Sequence, residues 1–208
     1  YKSHYNYGEA FKAGKFNFEL MQIPELNIDE QYRPDTSYEA LGKLKTAYGS
    51  RTITAGNSHG LNDGAAAILV ASEDAANRNN LTPKARIVSS AVAGVEPRIM
   101  GIGPVQASNK ALEKAGLTMD DMDIIELNEA FAAQALACTR AGGMADNDPR
   151  LNPNGGSIAI GNPLGVTGAR IAYSAALEVQ EQQKRYALIT MCIGVGQGYA
   201  AIIENVSK

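Results

Sequence analysis

Three short segments of this chain each set a reactive or polar side chain next to glycines or a helix start. One is Gly161-Asn162-Pro163-Leu164-Gly165, inside a longer run from Asn154 to Arg170. Thirty residues after Asn162 comes Cys192-Ile193-Gly194-Val195-Gly196-Gln197-Gly198. The third is Asn128-Glu129-Ala130-Phe131. A thiol can carry a proton or attack an electrophile. An asparagine amide donates and accepts hydrogen bonds without titrating. Glycines let the backbone approach a ligand and offer bare N–H groups to developing negative charge.

Each residue also has a plain structural reading. Cys192 ends an apolar strand, and a buried core cysteine is the commonest fate of that residue. A phosphate-cradling loop is a weaker alternative, because such loops open a helix and here a strand follows. Asn128 stands where a helix begins and reads as an N-cap, or as a cap that is also part of a site at the end of a strand. Asn162 reads as a cap or turn residue. All three lie at predicted strand ends on one edge of a sheet, and that convergence supports a site.

The elements that would position them follow a regular order after Thr82-Pro83. Strands are predicted over residues 86–93, 123–127, 157–160, 186–193 and 199–204, with helices over 104–115, 129–141 and 164–184. Gly116 and Gly142 close the first two helices. This is an α/β pattern, βαβαβαββ, giving a mixed sheet with helices on both faces, mostly parallel with an antiparallel edge. Before it, residues 1–15 read as helix and 16–23 as strand. Residues 27–36 read as loop, 38–48 as a helix capped by Ser37, 52–55 and 65–71 as strands, and 72–79 as helix. The helix over 164–184 is apolar or small on nearly every side through Val179, apart from Arg170 and Glu178. It therefore asks for a second covering layer.

Composition narrows the function classes. The 208 residues carry a net charge of −3 and are 45% hydrophobic with 21 glycines. That argues against a general nucleic-acid binder and permits a sizeable core. No apolar run approaches the length of a membrane span. Two cysteines and two histidines suggest neither a disulfide framework nor a zinc site. The expectation is a reduced, intracellular, cytoplasmic protein. Tyr1 is not an initiator methionine, so the chain reads as part of something longer.

In their order and spacing the three motifs resemble the C-terminal half of a thiolase, and the likeness extends through residues 57–64 and 98–104. Thiolases exchange acyl groups between a catalytic cysteine and coenzyme A, in fatty acid breakdown or in condensation. The resemblance implies a thiolase-like fold, with residues 1–82 holding the end of a loop domain and the last part of the N-terminal half, and 83–208 the C-terminal domain. It implies acyl-CoA as substrate with no tightly bound cofactor, an N-terminal half as partner, and a homodimer or homotetramer.

Residue by residue, Cys192 matches the family's second cysteine, the acid/base at the substrate α-carbon. Gly194 matches an oxyanion N–H donor, and Asn128 the asparagine that holds a water in the other oxyanion hole. Asn162 stands where the family has a histidine that activates the nucleophile. Its amide keeps the donor and loses the base. Neither cysteine matches the family's nucleophile; Cys138 falls mid-helix and reads as core. Among CoA contacts, Arg33 matches a loop-domain arginine, Met100 and Phe131 pocket walls, and His59 a serine that touches the pantetheine arm. Surface charge, core packing and a plain loop histidine explain these four equally well. Two readings stand: an acyltransferase, here lacking its nucleophile and inactive by itself, and a non-catalytic CoA-binding or scaffold protein. A ketoacyl-synthase relative is a third, weakened by the full Cys192 motif.

Overall fold

The computed structural model describes residues 1–26 and 29–207. The first two residues of the loop expected over 27–36, Asn27 and Ile28, lie outside the described residues.

A four-stranded sheet forms the centre. Its strands are β1 (Ala85–Gly94), β2 (Ile124–Leu127), β3 (Tyr186–Ile193) and β4 (Gln197–Asn205), in the order β1-β4-β3-β2. Strand alternation sorts side chains to two faces. Leu127 and Leu188 face one core with Ala107, Ala111 and Leu112 of helix α4 (Gly103–Ala115) and Ala135 and Cys138 of helix α5 (Ala132–Ala141). Ile124, Ala187 and Ile189 face the other, with Ile171, Ala175 and Val179 of helix α7 (Thr167–Glu181). Helices thus cover both faces, as expected. Each fully buried aliphatic side chain contributes about 1.5–3 kcal/mol by leaving water.

The sheet is less parallel than the alternating pattern predicts. Only β2 and β3 run parallel; β3–β4 and β4–β1 are antiparallel. The strand expected over 157–160 is instead a helical turn, α6 (Ser157–Ile160). The outer edge of β2 is met by Leu151, which bridges Ile125 in parallel.

The N-terminal third departs furthest from expectation. Helix α1 (Lys2–Lys12) is present, and α3 (Glu73–Arg78), capped by Ser72, falls within the helix predicted over 72–79. Helix α2 (Tyr38–Gly42) is capped by Ser37 but stops well short of residue 48. Residues 16–23 turn rather than extend, because Phe16 folds back to stack on Tyr7 at 4.7 Å. Residues 52–55 contribute a single bridge, Thr46 to Thr54. Residues 65–71 form no strand and are exposed, Leu69 by 77%. A strand is stable only when its backbone groups are paired, and no strand among the described residues pairs with this one.

Helix α7 is shorter than expected and less completely buried. Thr167, Ile171, Ala175 and Val179 are buried at four-residue spacing, whereas Tyr173 is 39% exposed. One stripe packs on the sheet, and the adjoining flank that carries Arg170, Ser174 and Leu177 lines a groove.

Candidate active site

The carboxyl ends of β2 and β3 lie side by side. Leu127 is in register with Thr190, and the Asn128 N–H donates to the Thr190 carbonyl at 3.0 Å. Asn128 and Cys192 therefore leave the sheet at neighbouring strand ends, where open α/β sheets bind ligands.

Asn128 is not a helix cap. Helix α5 begins at Ala132, its cap position is Phe131, and no side chain caps it. Asn128 is 3% exposed, and its Oδ1 has no hydrogen-bond partner among the described residues. A buried acceptor without a partner costs about 1–3 kcal/mol. Such a group makes sense where a ligand or ordered water would meet it.

The strand end is braced by residues the motif reading missed. Asn152 Oδ1 accepts from the Leu127 N–H and its Nδ2 donates to the Leu127 carbonyl, both at 2.9 Å. The Glu129 carboxylate accepts from Ser3 Oγ at 2.7 Å, Asn152 Nδ2 at 3.0 Å and the Ile158 N–H at 3.1 Å. Ser157 Oγ accepts from the Glu129 N–H at 2.9 Å. The adjacency of Glu129 to Asn128 was the only local signal for this network.

Cys192 is 7% exposed and lies opposite Gly198 on β4. Burial pushes its thiol above the ordinary cysteine range. Beyond it the chain turns through Gly194, Val195 and Gly196, with Gly194 exposed. Val195 has φ of 66°, a left-handed conformation costly for a β-branched residue. The turn is held from outside. The Val95 N–H donates to the Gly196 carbonyl at 2.8 Å. Gly198 packs so closely on the Gly103 backbone at the start of α4 that any side chain there would collide with it. Met100, half-buried in the 3₁₀ turn Pro97–Ile102, lies on this bracing segment.

Asn162 is 7% exposed and fixed on three sides. Its N–H donates to Asn62 Oδ1 at 3.0 Å, and its Oδ1 accepts from Thr167 Oγ1 at 2.5 Å. Its Nδ2 meets the Nε2 of His59 at 3.1 Å. Gly161 has φ of 107°, and a side chain there would strike Asn62, so only glycine allows this approach. The loop carrying His59 is in turn pinned to the Asn128 segment. Ser58 bridges Phe131, and the Ala132 N–H donates to the Asn57 carbonyl at 2.9 Å. His59, Phe131 and Asn162 are thus joined in one patch, contiguous with Asn128. Nothing in residue spacing pointed to the contact between His59 and Asn162.

Arg33 stands apart. It is exposed, and its guanidinium turns back on the carbonyls of Glu30 and Tyr32. Cys138 is core, as expected: its Sγ bonds the Gly101 carbonyl at 3.2 Å, and burial pushes it up to about 11.

On the opposite face of the sheet, α7 borders a groove of about 450 Å³ lined in part by Lys15, Glu126, Arg170 and Glu178. Burial pushes the Glu126 carboxyl up to about 8, opposed in part by Arg170. Lys15 pairs with the buried Glu178 at 2.8 Å.

Residues 81–205 match the family "Thiolase, C-terminal domain", and residues 1–74 match "Thiolase, N-terminal domain". The chain belongs to the thiolase family. It is 56% identical over 185 residues to the 3-oxoadipyl-CoA/3-oxo-5,6-dehydrosuberyl-CoA thiolase of Escherichia coli, covering 88% of this chain and 46% of that protein. It is 45% identical over 217 residues to the 3-ketoacyl-CoA thiolase of Salmonella typhimurium, covering 99% of this chain and 56% of that one. Among solved structures, human mitochondrial 3-ketoacyl-CoA thiolase in complex with CoA superposes with a TM-score of 0.93 at 44% identity, covering 99% of this chain and 53% of that one. This chain spans about half the length of the relatives it matches. No helix among the described residues is long and apolar enough to cross a membrane.

Proposed function

We propose that this chain is the catalytic C-terminal part of a thiolase-type acyl-CoA C-acyltransferase, in which Cys192 moves the proton at the substrate α-carbon. The observation that carries the reading is the placement of Cys192 and the unpartnered Asn128 Oδ1 at adjacent parallel strand ends, beside the exposed Gly194 turn. Oxyanion stabilisation there would come from Gly194 N–H and from a water held by Asn128, an effect worth roughly 3–4 kcal/mol per donor. The acyl group is carried by a cysteine thiol outside this chain, on an N-terminal half. Within this chain, residues 1–82 complete that half and 83–208 form the C-terminal domain.

Acyl-CoA is the substrate, and no tightly bound cofactor is required. Phe131 and His59 border the pocket near the reacting end, Met100 forms a wall, and Arg33 reaches the nucleotide once released from its own loop carbonyls. The exposed segment 65–71 and the free side of α7 fit burial by the N-terminal half or by a second copy in a dimer or tetramer. The compartment proposed is the cytoplasm.

The alternative is a CoA-binding protein without catalysis, favoured by Asn162, whose amide cannot act as a base. CoA release from acetyl-CoA by the whole protein separates the two: a burst supports acyl transfer, and binding without release supports the alternative. The isolated 208-residue chain should show no thiolysis.

A further inference from the structure

His59 and Asn162 are 103 positions apart in sequence and meet tip to tip, Nε2 to Nδ2, at 3.1 Å. The other ring nitrogen, Nδ1, lies 2.7 Å from the Gly60 carbonyl. A carbonyl only accepts, so Nδ1 carries the hydrogen and Nε2 presents its lone pair to the Asn162 amide. The imidazole is half-buried and held by both ends.

We infer that His59 supplies the imidazole of this acyl-transfer site, with Asn162 as the residue that positions it. The inference rests on the reading of the site as an acyltransferase and adds the group that reading lacks, a proton acceptor. Because the two side chains meet at their tips, an imidazole rooted at either position puts a ring nitrogen into nearly the same small volume.

The step assigned to His59 is proton transfer during acylation. The nucleophile's thiol displaces the Asn162 amide from the one lone pair of Nε2 and gives its proton there as its sulfur bonds to the thioester carbonyl carbon. The bond from that carbon to the CoA sulfur then breaks, and the proton passes from Nε2 to the departing sulfur.

Between turnovers Asn162 donates to the bare Nε2 and accepts from Thr167 Oγ1 at 2.5 Å. During the transfer the Nε2–H stays aimed at the reacting sulfurs, and the bond from Thr167 Oγ1 to Asn162 Oδ1 holds the amide in place to receive the ring nitrogen again.

The test uses the whole protein, with the half that bears the nucleophile, and follows CoA release from acetyl-CoA. Wild type, His59→Gln, Asn162→His and the double variant His59→Ser/Asn162→His are compared. The expected result is a loss of about 10²-fold or more in the maximal rate for His59→Gln with KM changed only a few-fold, the scale of a lost general base. The double variant should recover to within about tenfold of wild type, because it returns an imidazole to the same volume. An unchanged rate in His59→Gln overturns the inference, as does a silent wild type whose Asn162→His variant alone is active; in both cases the acyltransferase reading survives. CoA release by none of the four overturns both.

Discussion

Asn152 clips the end of the strand that delivers Asn128, bonding the N–H and the carbonyl of Leu127 at 2.9 Å each. It does for the edge of β2 what another strand would do. Its backbone sits at φ of 44°, a region asparagine tolerates better than most residues. Replacing Asn152 by alanine leaves two buried backbone groups without partners, a cost of about 2–4 kcal/mol in all. Urea unfolding of the variant should show a lower midpoint with an unchanged slope. An unshifted midpoint would mean that the clip is ornamental.

The contact of Gly198 with Gly103 fixes where the Cys192 turn sits relative to α4. Gly198→Ala places a methyl group against backbone that cannot swing aside. The expected loss is about 1–3 kcal/mol, the usual range for overpacking. A thermal melt within a degree of wild type would contradict this tight approach.

Glu126 makes stability depend on pH in an unusual direction. Its carboxyl is raised to about 8 in the fold, chiefly by burial, from an ordinary value of 4.5. Between those values the folded chain holds a proton that the unfolded chain releases. Stability from this group therefore falls as pH rises across that window. Glu126→Gln removes the titration and should gain on wild type steadily between pH 5 and 8.5. Parallel pH profiles in denaturant melts would show that Glu126 is ionised in the fold. His4 works the other way: burial lowers it to about 4, so its share of stability grows as pH climbs from there to 6.5.

Much of the C-terminal region is legible from local pattern. The apolar run of β3 has the predicted bounds, and Gly116 ends α4 in a left-handed cap. Ser157-Ile158-Ala159-Ile160 misleads for a physical reason. Its apolar residues suit a strand, but its first amides are satisfied from far along the chain. Glu129 Oε2 accepts from Ile158 N–H and Ser3 Oγ from Ala159 N–H, which closes the segment into a helical turn. Residues 65–71 mislead differently, since a strand signal is only a claim on a partner. Within the site, a glycine turn at a strand end marked Cys192, whereas Asn162 was marked by its glycine turn alone, since a helical turn and not a strand precedes it. The meeting of His59 with Asn162 depends on the bridge of Ser58 to Phe131, a tertiary contact that no spacing encodes.

In the proposed mechanism Cys192 moves a proton at the substrate α-carbon. The most direct measurement is Cys192→Ala in the whole protein, with acetoacetyl-CoA formation and the acylation burst from acetyl-CoA followed side by side. Condensation should be abolished while the burst survives in part, because another cysteine carries the acyl group. Condensation at the wild-type rate would make Cys192 a packing residue and contradict the mechanism.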